Sequence, residues 1–511
     1  MLDLGEDSEE IVQASDYMYG IIKRIVEEAG ARAPCSEGER KGSMIFKEEL
    51  EKTCDEVRVE KFSCYPKAFL GWIRFDVAFI LVAYLTFLLS DLSRAAAIAT
   101  SATGFALVVL AVLFFYKQFF KYEEWTPKFI PYKKRESQNV VGIIKPRGEV
   151  RKRVVVSGHV DSAFRFNLIN YTGGCYALFF GLGIFALVEG ALIFGSRLLF
   201  GLVGAPVPTW LVVLLDVVVN GTPAVMCLLI LLAAGDPDLL FGIFRNLERR
   251  SKLIILAYVA YGVIVNFFLA PVVYGAGNLL LSRTALLFLA LNVPTLVALW
   301  FFASDEATFG VVDNLSACAP AMAVARVLKL WKETKPEMFP QHTEVVVCIV
   351  GCEEVGLRGS ESFARAHAEE YNQIDTTVVN MESISDTSVV RIYTEERTTS
   401  TKLSPRVYEL LKEVAKELGI PYEVSHMPAV AGGTDAAGFV RGGLHASSLC
   451  GLRYRDYLQY YHSDRDCLDI LNAERLPWSH YGADWRDYNV RGAMEQALCI
   501  CLGYIIKKDA Q

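Results

Sequence analysis

Residues 351–360 read Gly-Cys-Glu-Glu-Val-Gly-Leu-Arg-Gly-Ser and follow an apolar run from Val345 to Val350. The β-branched run predicts a buried strand, and the glycine-rich turn after it predicts the start of a helix that Ser360 can cap. Two adjacent carboxylates at a strand end can divide the work of metal-assisted hydrolysis, one binding a metal ion and the other moving protons. An isolated Glu-Glu pair is usually solvated surface, so the rest of the chain has to support this interpretation.

Further metal-ligand candidates follow other strand-like or helix-like runs. The run Val154 to Val156 leads into Ser-Gly-His-Val-Asp, in which His159 offers an imidazole and Asp161 can hold its other nitrogen or its loop. Asp313 stands just before a helix-like run, where a carboxylate can bridge two cations or simply cap the helix. Glu382 ends a β-rich run, and His462 follows two tyrosines.

Most of these positions lie at the end of a strand-like run or at a helix start. An α/β sheet places its functional site at the carboxyl ends of its strands, so we expect these side chains to meet there. Two histidines and three carboxylates, one of them shared, are a donor set that suits a pair of zinc ions. In chain order the candidates are His159, Asp313, Glu353, Glu354, Glu382 and His462.

The ordered motifs resemble those of a known family, the di-zinc aminopeptidases of the aminopeptidase Y and aminopeptidase S type. The shared pattern is His-x-Asp, Asp-Asn, Glu-Glu-x-Gly-x-x-Gly-Ser, a strand-end acid and Tyr-His. The resemblance implies an α/β fold with a mixed sheet flanked by helices, and two Zn²⁺ ions. It also implies that His159, Asp313 and Glu382 hold one zinc ion and that Asp313, Glu354 and His462 hold the other.

The same resemblance implies roles for other residues. Glu353 would be the general base and acid, and Tyr461 would polarise the scissile carbonyl. The Gly-Gly-Thr-Asp-Ala stretch is similar to a loop that lines the substrate pocket in related peptidases, so Thr434 and Asp435 are substrate-site candidates. One departure concerns the strand-end acid, because Glu382 replaces the more usual aspartate. Neighbouring carboxypeptidases and deacylases use glutamate there, which keeps those activities open.

A second departure is the length of chain between His159 and Asp313, about 150 residues where the family has a short loop. The chain is 53% hydrophobic, which is too apolar for an ordinary soluble enzyme. Its apolar residues cluster in six stretches of about the length that crosses a bilayer, roughly 20 residues each. These predicted spans are 71–90, 96–117, 174–195, 208–234, 253–281 and 284–303.

We therefore predict an all-α, six-helix transmembrane bundle inserted as a hairpin and a four-helix unit. The expected divisions are 1–67, 121–167 and 306–511 for the peptidase domain, 68–120 for the hairpin and 168–305 for the four-helix insertion. Removing the hairpin brings the strand-like run from Val57 to Cys64 close to that of Asn139 to Ile144. Both insertions contain an even number of spans, so the peptidase domain can assemble on one side of the membrane.

Charge and cysteine usage indicate which side that is. Lysine and arginine concentrate next to the peptidase pieces, for example at 117–135 and 245–252, whereas the opposite loops carry little more than Arg94, Arg197 and Arg283. The positive-inside rule then predicts a cytoplasmic peptidase domain. The acidic start of the chain shows no cleavable signal peptide, and the cysteines show no paired framework of the secreted kind. Inside the spans, Glu189 and Asp216 are expected to face the bundle interior.

The sequence thus predicts a membrane-embedded, two-zinc exopeptidase, most simply an aminopeptidase acting on peptides with a free N-terminus. The alternatives are a carboxypeptidase or amide deacylase with the same metals, a catalytically silent peptidase-fold receptor or scaffold, and a transporter with a fused peptidase-like regulator. The net charge of -7, with no basic, aromatic-interleaved face, argues against nucleic acid as a partner. No sequence feature indicates an oligomeric state.

Overall fold

The structure is a computed structural model that describes residues 4–173, 176–211, 280–429, 431–482 and 484–511, with a few single residues between 214 and 264. The chain divides into two compact units. Unit 1 comprises Met1–Phe69, Thr126–Arg165 and Ser304–Gln511, and unit 2 comprises Leu70–Trp125 and Phe166–Ala303. Each unit is therefore assembled from segments that are far apart in sequence.

The secondary structure alternates strands and helices through most of unit 1. The strands are β1 Glu56–Cys64, β2 Arg135–Ile144, β3 Lys152–His159, β4 Phe164–Phe166, β5 Ala303–Ala307, β6 Thr343–Val350, β7 Asp375–Ile384, β8 Val390–Glu396, β9 Thr401–Lys402, β10 Tyr422–Met427 and β11 Ala446–Gly451. The helices are α1 Glu9–Ala29, α2 Glu37–Glu51, α3 Ala68–Phe87, α4 Arg94–Phe115, α5 Asn167–Thr172, α6 Tyr176–Val203, α7 Leu280–Trp300, α8 Ser316–Thr334, α9 Arg358–Tyr371, α10 Pro405–Glu417, α11 Asp435–Arg441, α12 Tyr454–Tyr457 and α13 Val490–Ala510.

Within the described residues, nine strands of unit 1 form one mixed sheet in the order β1-β2-β6-β3-β7-β11-β8-β10, with β9 paired to β8. The centre is parallel, because β3 lies between β6 and β7 and β11 pairs with β7 in the same direction. Strands β1 and β2 are antiparallel and pair Val57 with Gly142. This pairing confirms the expected approach of two runs that the chain separates by a predicted hairpin.

Helices cover the central sheet of unit 1. Helices α1, α2, α8 and α13 contact one another, and α9 packs with α11. Helix α8 is rich in alanine and valine and is buried along most of its length, so it serves as the core helix behind the parallel strands. The predicted fold class, a mixed sheet flanked by helices, is confirmed. The carboxyl ends of β3, β6 and β7 meet at one edge of this sheet, where a site is expected.

Unit 2 is built from apolar helices. Four described helices of the chain are long and apolar enough to cross a membrane by length and composition, at Ala68–Phe87, Arg94–Phe120, Phe179–Val203 and Val311–Thr334. The first three correspond to predicted spans. The fourth includes α8 of unit 1, and 94% of its apolar window is buried inside the protein, which is typical of a core helix.

Helix α7 accounts for most of the predicted span 284–303. The predicted spans 208–234 and 253–281, the basic segment 245–252 and Asp216 lie almost wholly outside the described residues. Glu189 is fully buried within unit 2. Arg197, near the end of α6, pairs with Asp91 in the α3–α4 turn at 3.0 Å. These two helix ends therefore lie at the same end of unit 2, as an alternating path of spans requires.

Candidate active site

The site begins at the end of the central strand. His159 is the last residue of β3 and is fully buried. Gly158 precedes it, and a Cβ built there would lie 3.1 Å from backbone atoms of Ala317 and Cys318 at the start of α8. The Cys318 thiol donates to the His159 carbonyl at 3.0 Å. Because Gly158 has no side chain, the turn before α8 can lie next to His159.

That turn, Val311–Leu315, carries Asp313. Its backbone is non-helical at Asp313 (φ -113°, ψ 82°), and the Asp313–Asn314 peptide bond is cis. Asp313 therefore precedes α8 in a turn of its own and is not the N-cap of the helix. Asp313 Oδ1 lies 3.4 Å from His159 Nε2, and Asp313 Oδ2 lies 3.3 Å from His462 Nε2. One carboxylate oxygen thus faces each histidine.

The remaining ligand candidates complete two overlapping groups. Glu382, near the end of β7, places Oε1 3.4 Å from His159 Nε2. Glu354, in the loop after β6, places Oε2 3.2 Å from His462 Nε2. His159, Asp313 and Glu382 can converge on one ion, and Asp313, Glu354 and His462 can converge on another. Asp313 belongs to both groups.

Glu353 also approaches the Nε2 atom of His159. Its Oε2 is 3.8 Å from His159 Nε2, and its side chain lines the same small cavity as Glu354. The backbone at Gly356 and Leu357 is left-handed, with φ of 102° and 64°. The helix therefore starts at Arg358, with Leu357 as its N-cap, and the prediction that Ser360 caps it is wrong. Glu353 and Glu354 therefore lie in the loop between β6 and this helix, and Glu353 lies next to His159 at the end of β3.

Asp161 organises this loop through its carboxylate. Its Oδ1 accepts the backbone N–H of Glu353 and its Oδ2 accepts that of Glu354, each at 3.1 Å. Its backbone carbonyl is 3.0 Å from His159 Nδ1, which leaves Nε2 pointing at the other carboxylates. One residue therefore orients the histidine and both glutamates.

Two positioning residues escaped the sequence analysis. Asp466 accepts the backbone N–H groups of Val312 and Asp313, at 2.7 and 3.0 Å. Arg32 is fully buried and donates to the carbonyls of Val160 (2.7 Å) and Phe309 (2.8 Å), so it ties the loop after His159 to the segment before Asp313. Their partners are far away in sequence, and no local pattern marks either residue.

Tyrosines form one wall of the site. The ring of Tyr461 stacks on that of His462 with centroids 3.6 Å apart, and Tyr461 lines the cavity. Tyr457, which the sequence analysis did not select, donates its hydroxyl to Asp313 Oδ2 at 3.3 Å. Tyr457 lies four residues before Tyr461, and this spacing could have indicated that both tyrosines lie on the same face.

Thr434 and Asp435, the predicted substrate-site residues, are both fully buried. The Thr434 hydroxyl donates to the Glu396 carboxylate and also accepts the backbone N–H of Ala436, which caps α11. Gly433 and Ala431 line the cavity in their place. Thr434 and Asp435 therefore support the loop rather than reach into the cavity.

The site carries a surplus of buried negative charge. Burial raises the pKa of the Glu353 carboxyl well above its usual range, against the attraction of His159. Burial likewise raises the pKa of Glu382 to about 8. Burial alone would lower the pKa of His462, but the carboxylates of Glu354 and Asp313 raise it to about 9. A bound metal ion would reverse these shifts, because its positive charge favours ionised carboxylates and neutral imidazoles.

The donor atoms fit zinc. Among the described residues, His159 Nε2, Glu354 Oε1 and Glu382 Oε2 are buried without a hydrogen-bond partner. Buried polar atoms of this kind are costly unless a ligand satisfies them. Imidazole nitrogens with carboxylate oxygens are a ligand set that zinc takes, and Asp161 supplies the supporting hydrogen bonds that such sites use.

At the carboxyl ends of its parallel strands, the mixed sheet brings together histidines and carboxylates that can hold a metal ion. Residues 295–479 match the sequence model described as Peptidase family M28. The match covers about a third of the chain and includes Asp313, Glu353, Glu354, Glu382 and His462. It confirms the resemblance to the di-zinc aminopeptidase type of family, and the chain is a zinc-dependent peptidase.

Solved structures with a similar chain path include BSAP, a zinc aminopeptidase from Bacillus subtilis, at 12% identity and a TM-score of 0.43, covering 97% of this chain and 95% of that chain. A leucine aminopeptidase precursor from Bacteroides thetaiotaomicron shows 10% identity and a TM-score of 0.43, with 96% of each chain covered. A glutaminyl cyclase from an Acidobacteriales bacterium shows 10% identity and a TM-score of 0.44, covering 96% of this chain and 93% of that chain. No curated protein sequence matches.

Proposed function

We propose that this chain is a membrane-embedded aminopeptidase that uses two zinc ions. The observation that carries the proposal is the position of Asp313, whose two carboxylate oxygens face His159 and His462 separately at 3.4 and 3.3 Å. A carboxylate placed between two ligand groups is suited to bridge two cations. Glu382 would complete the first group and Glu354 the second.

Zinc bound there supplies a Lewis acid that polarises a peptide carbonyl and makes water acidic near neutral pH. Glu353 belongs to neither of these two groups, although with His159 and Glu354 it forms a third group that could hold an ion, and Asp161 accepts its backbone N–H. Glu353 would take the proton of the attacking water and deliver it to the leaving amine. Tyr461, at the cavity wall, would donate to the developing oxyanion.

The cavity favours the N-terminal end of a peptide. Among its described lining residues are Asp313, Glu353, Glu354 and Glu382, but neither lysine nor arginine. A carboxypeptidase needs a cation for the C-terminal carboxylate of its substrate, and neither lysine nor arginine lines this cavity among the described residues. The space between these carboxylates and the tyrosine wall is small, about 40 Å³, which suits the end of a chain better than its middle.

The test is mass spectrometry of a mixed peptide pool, with free and acetylated N-termini, incubated with detergent-purified full-length protein and zinc. We expect stepwise loss of N-terminal residues from the free peptides alone. A parallel sample of Glu353→Gln protein controls for contaminating peptidases and should leave the pool intact.

Each other outcome identifies a different activity. Loss of C-terminal residues would make the protein a carboxypeptidase, and reaction of acetylated peptides alone would make it a deacylase. An intact pool, although zinc is bound, would overturn the proposal in favour of a silent scaffold or a transporter regulator. Uptake of a labelled peptide into vesicles that is unaffected by Glu353→Gln would point to the transporter.

We also propose that unit 2 is the transmembrane part of the protein and that the peptidase domain, 1–67, 121–167 and 306–511, faces the cytoplasm. The apolar helices α3, α4 and α6 support the membrane-spanning part of this proposal. The lysines and arginines next to the peptidase pieces support the cytoplasmic side. Protein that stays with the membrane in alkaline carbonate would support embedding. Protease attack on unit 1 in inside-out vesicles only would support the cytoplasmic side, and attack in right-side-out vesicles would reverse it.

A further inference from the structure

Three cysteines from separate segments of unit 1 meet beside the candidate active site. Cys35 precedes α2, Cys64 ends β1 and Cys352 follows β6. Cys35 Sγ is 3.5 Å from Cys64 Sγ and 3.4 Å from Cys352 Sγ, and all three thiols are free. We call these residues the three-cysteine cluster. It lies outside the ligand groups of His159 and His462, although Cys352 directly precedes Glu353.

A buried carboxylate fixes two of the three cysteines. Glu39 Oε2 accepts the backbone N–H of Cys35 at 2.8 Å, and Glu39 Oε1 accepts that of Cys352 at 2.9 Å. The backbones of both cysteines are left-handed, with φ of 58° and 56°, a conformation that non-glycine residues rarely adopt. The rest of the fold therefore holds Cys35 and Cys352 in a backbone conformation that is unfavourable on its own.

The surroundings of the cluster exclude water. Val355 and the rings of Phe62, Phe69 and Phe164 pack around the sulfurs. Glu39 is 1% exposed and also accepts the Ser137 hydroxyl at 2.9 Å. Convergent sulfur atoms beside a carboxylate, away from water, are a donor set that a thiophilic cation takes.

We propose that the three-cysteine cluster is a metal site for Zn²⁺, a thiophilic closed-shell cation. Each thiol gives up its proton and binds the metal as thiolate, so that a cation replaces the protons. Three sulfurs around a zinc ion at about 2.3 Å lie roughly 3.8 Å apart, which a small opening of the observed contacts provides. Glu39 Oε1, 3.4 Å from Cys352 Sγ, is placed to be a fourth ligand.

A metal in this position has a consequence for the neighbouring site. It joins the segment before α2, the end of β1 and the loop that carries Glu353, and the sequence separation of Cys35 and Cys352 is 317 residues. The cross-link restrains the first residue of that loop. The site is a positioning element, and it does not depend on the aminopeptidase proposal.

The experiment uses full-length protein purified in detergent under anaerobic, reducing conditions. Elemental analysis measures zinc per chain, and exchange with Co²⁺ reports the ligands by absorption. Thiolate ligation gives sulfur-to-cobalt charge-transfer absorption in the near ultraviolet, which histidine and carboxylate ligands do not give. We expect this band in the wild-type protein, and we expect Cys64→Ser to lose it together with about one metal ion per chain.

Two variants make the result specific. Cys54→Ser changes a partly buried cysteine of the same region outside the cluster and should keep both the band and the metal. His462→Ala disrupts the other site and should lose peptidase activity and metal but keep the band. Failure of the aminopeptidase proposal is thus distinguishable from failure of this one. Absence of the band in wild-type protein, or a disulfide joining two cluster cysteines in the anaerobic preparation, would overturn the metal site.

Discussion

Asp466 accepts the backbone N–H of Asp313 at 3.0 Å, although 153 positions separate the two residues. Its second oxygen accepts the neighbouring N–H of Val312 at 2.7 Å. These two bonds fix the turn that carries Asp313, and thereby the orientation of the carboxylate that faces both histidines. The position of Asp313 between the two histidines therefore depends on Asp466.

Asp466→Asn should weaken metal retention. The amide leaves one of the two backbone N–H groups facing an NH₂ group, so the turn loses its position. Changes to such supporting residues lower metal affinity or activity about 10- to 100-fold. Zinc competition with a chelator of known affinity measures the effect. Asp464→Asn is the matched control, because Asp464 is exposed and pairs only at the surface with Arg165. Equal zinc affinity in both variants would contradict the positioning role.

Glu353→Gln and Glu354→Gln should separate catalysis from metal binding. Loss of the base in Glu353→Gln should lower kcat about 10²- to 10⁴-fold while metal content is retained. Glu354→Gln removes a carboxylate 3.2 Å from His462 Nε2, so it should lose metal. Elemental analysis and steady-state kinetics of both variants check this. Metal loss in Glu353→Gln would show that this residue is a ligand.

Tyr457→Phe and Tyr461→Phe should differ in the quantity they change. The Tyr457 hydroxyl donates to Asp313 Oδ2, so its removal should weaken metal binding about 10- to 100-fold, as expected for one hydrogen bond to a charged group. Tyr461→Phe should lower kcat and leave the metal affinity unchanged. Measuring both quantities in both variants tests the assignment, and a pure KM effect for Tyr461→Phe would reassign that residue to substrate binding.

Glu396 should make stability depend on pH. Burial raises its pKa to about 7, despite hydrogen bonds from Thr434. The folded pKa lies above the unfolded value of about 4.3, so the folded state favours the neutral acid. The stability that this carboxyl contributes is therefore fully present below about pH 4.3 and lost as pH rises through about 7.

Glu396→Gln mimics the neutral acid at every pH. The melting temperature of the wild-type protein should fall relative to that of the variant between pH 5 and pH 8, as differential scanning fluorimetry in detergent can measure. Glu395→Gln is the control, because this neighbouring carboxylate is partly exposed. A wild-type curve that stays parallel to that of Glu396→Gln would refute the assignment.

Gly104→Leu should destabilise unit 2. A Cβ at Gly104 would lie 2.5 Å from the ring of Phe194, so α4 and α6 can approach only because this residue has no side chain. Overpacking of this kind costs about 1–3 kcal/mol. Thermal unfolding in detergent measures the loss. Ala99→Leu, at an exposed position of the same helix, should unfold like the wild-type protein.

Local patterns predicted much of this architecture because their signals are short in range. The β-branched runs predicted β1, β3, β6 and β7, and the apolar stretches predicted α3, α4, α6 and α7 of unit 2. The helix start after β6 was misplaced, because left-handed conformations at Gly356 and Leu357 begin the helix before Ser360. Val311–Thr334 shows a limit of composition as a signal. This helix is apolar enough to cross a membrane, yet it is a buried core helix of unit 1.

The sequence by itself determined the donor types and their order along the chain, from His159 to His462, because most ligand candidates lie at the end of a strand-like run or at a helix start. Tertiary structure decided how they group: the crossing of β3 with α8 and the bonds from Asp466 give Asp313 one oxygen for each histidine. It also decided which residues support them, since Arg32, Tyr457 and Glu39 act on partners far away in sequence. Such contacts form only when distant segments of the chain pack together, so sequence spacing does not predict them.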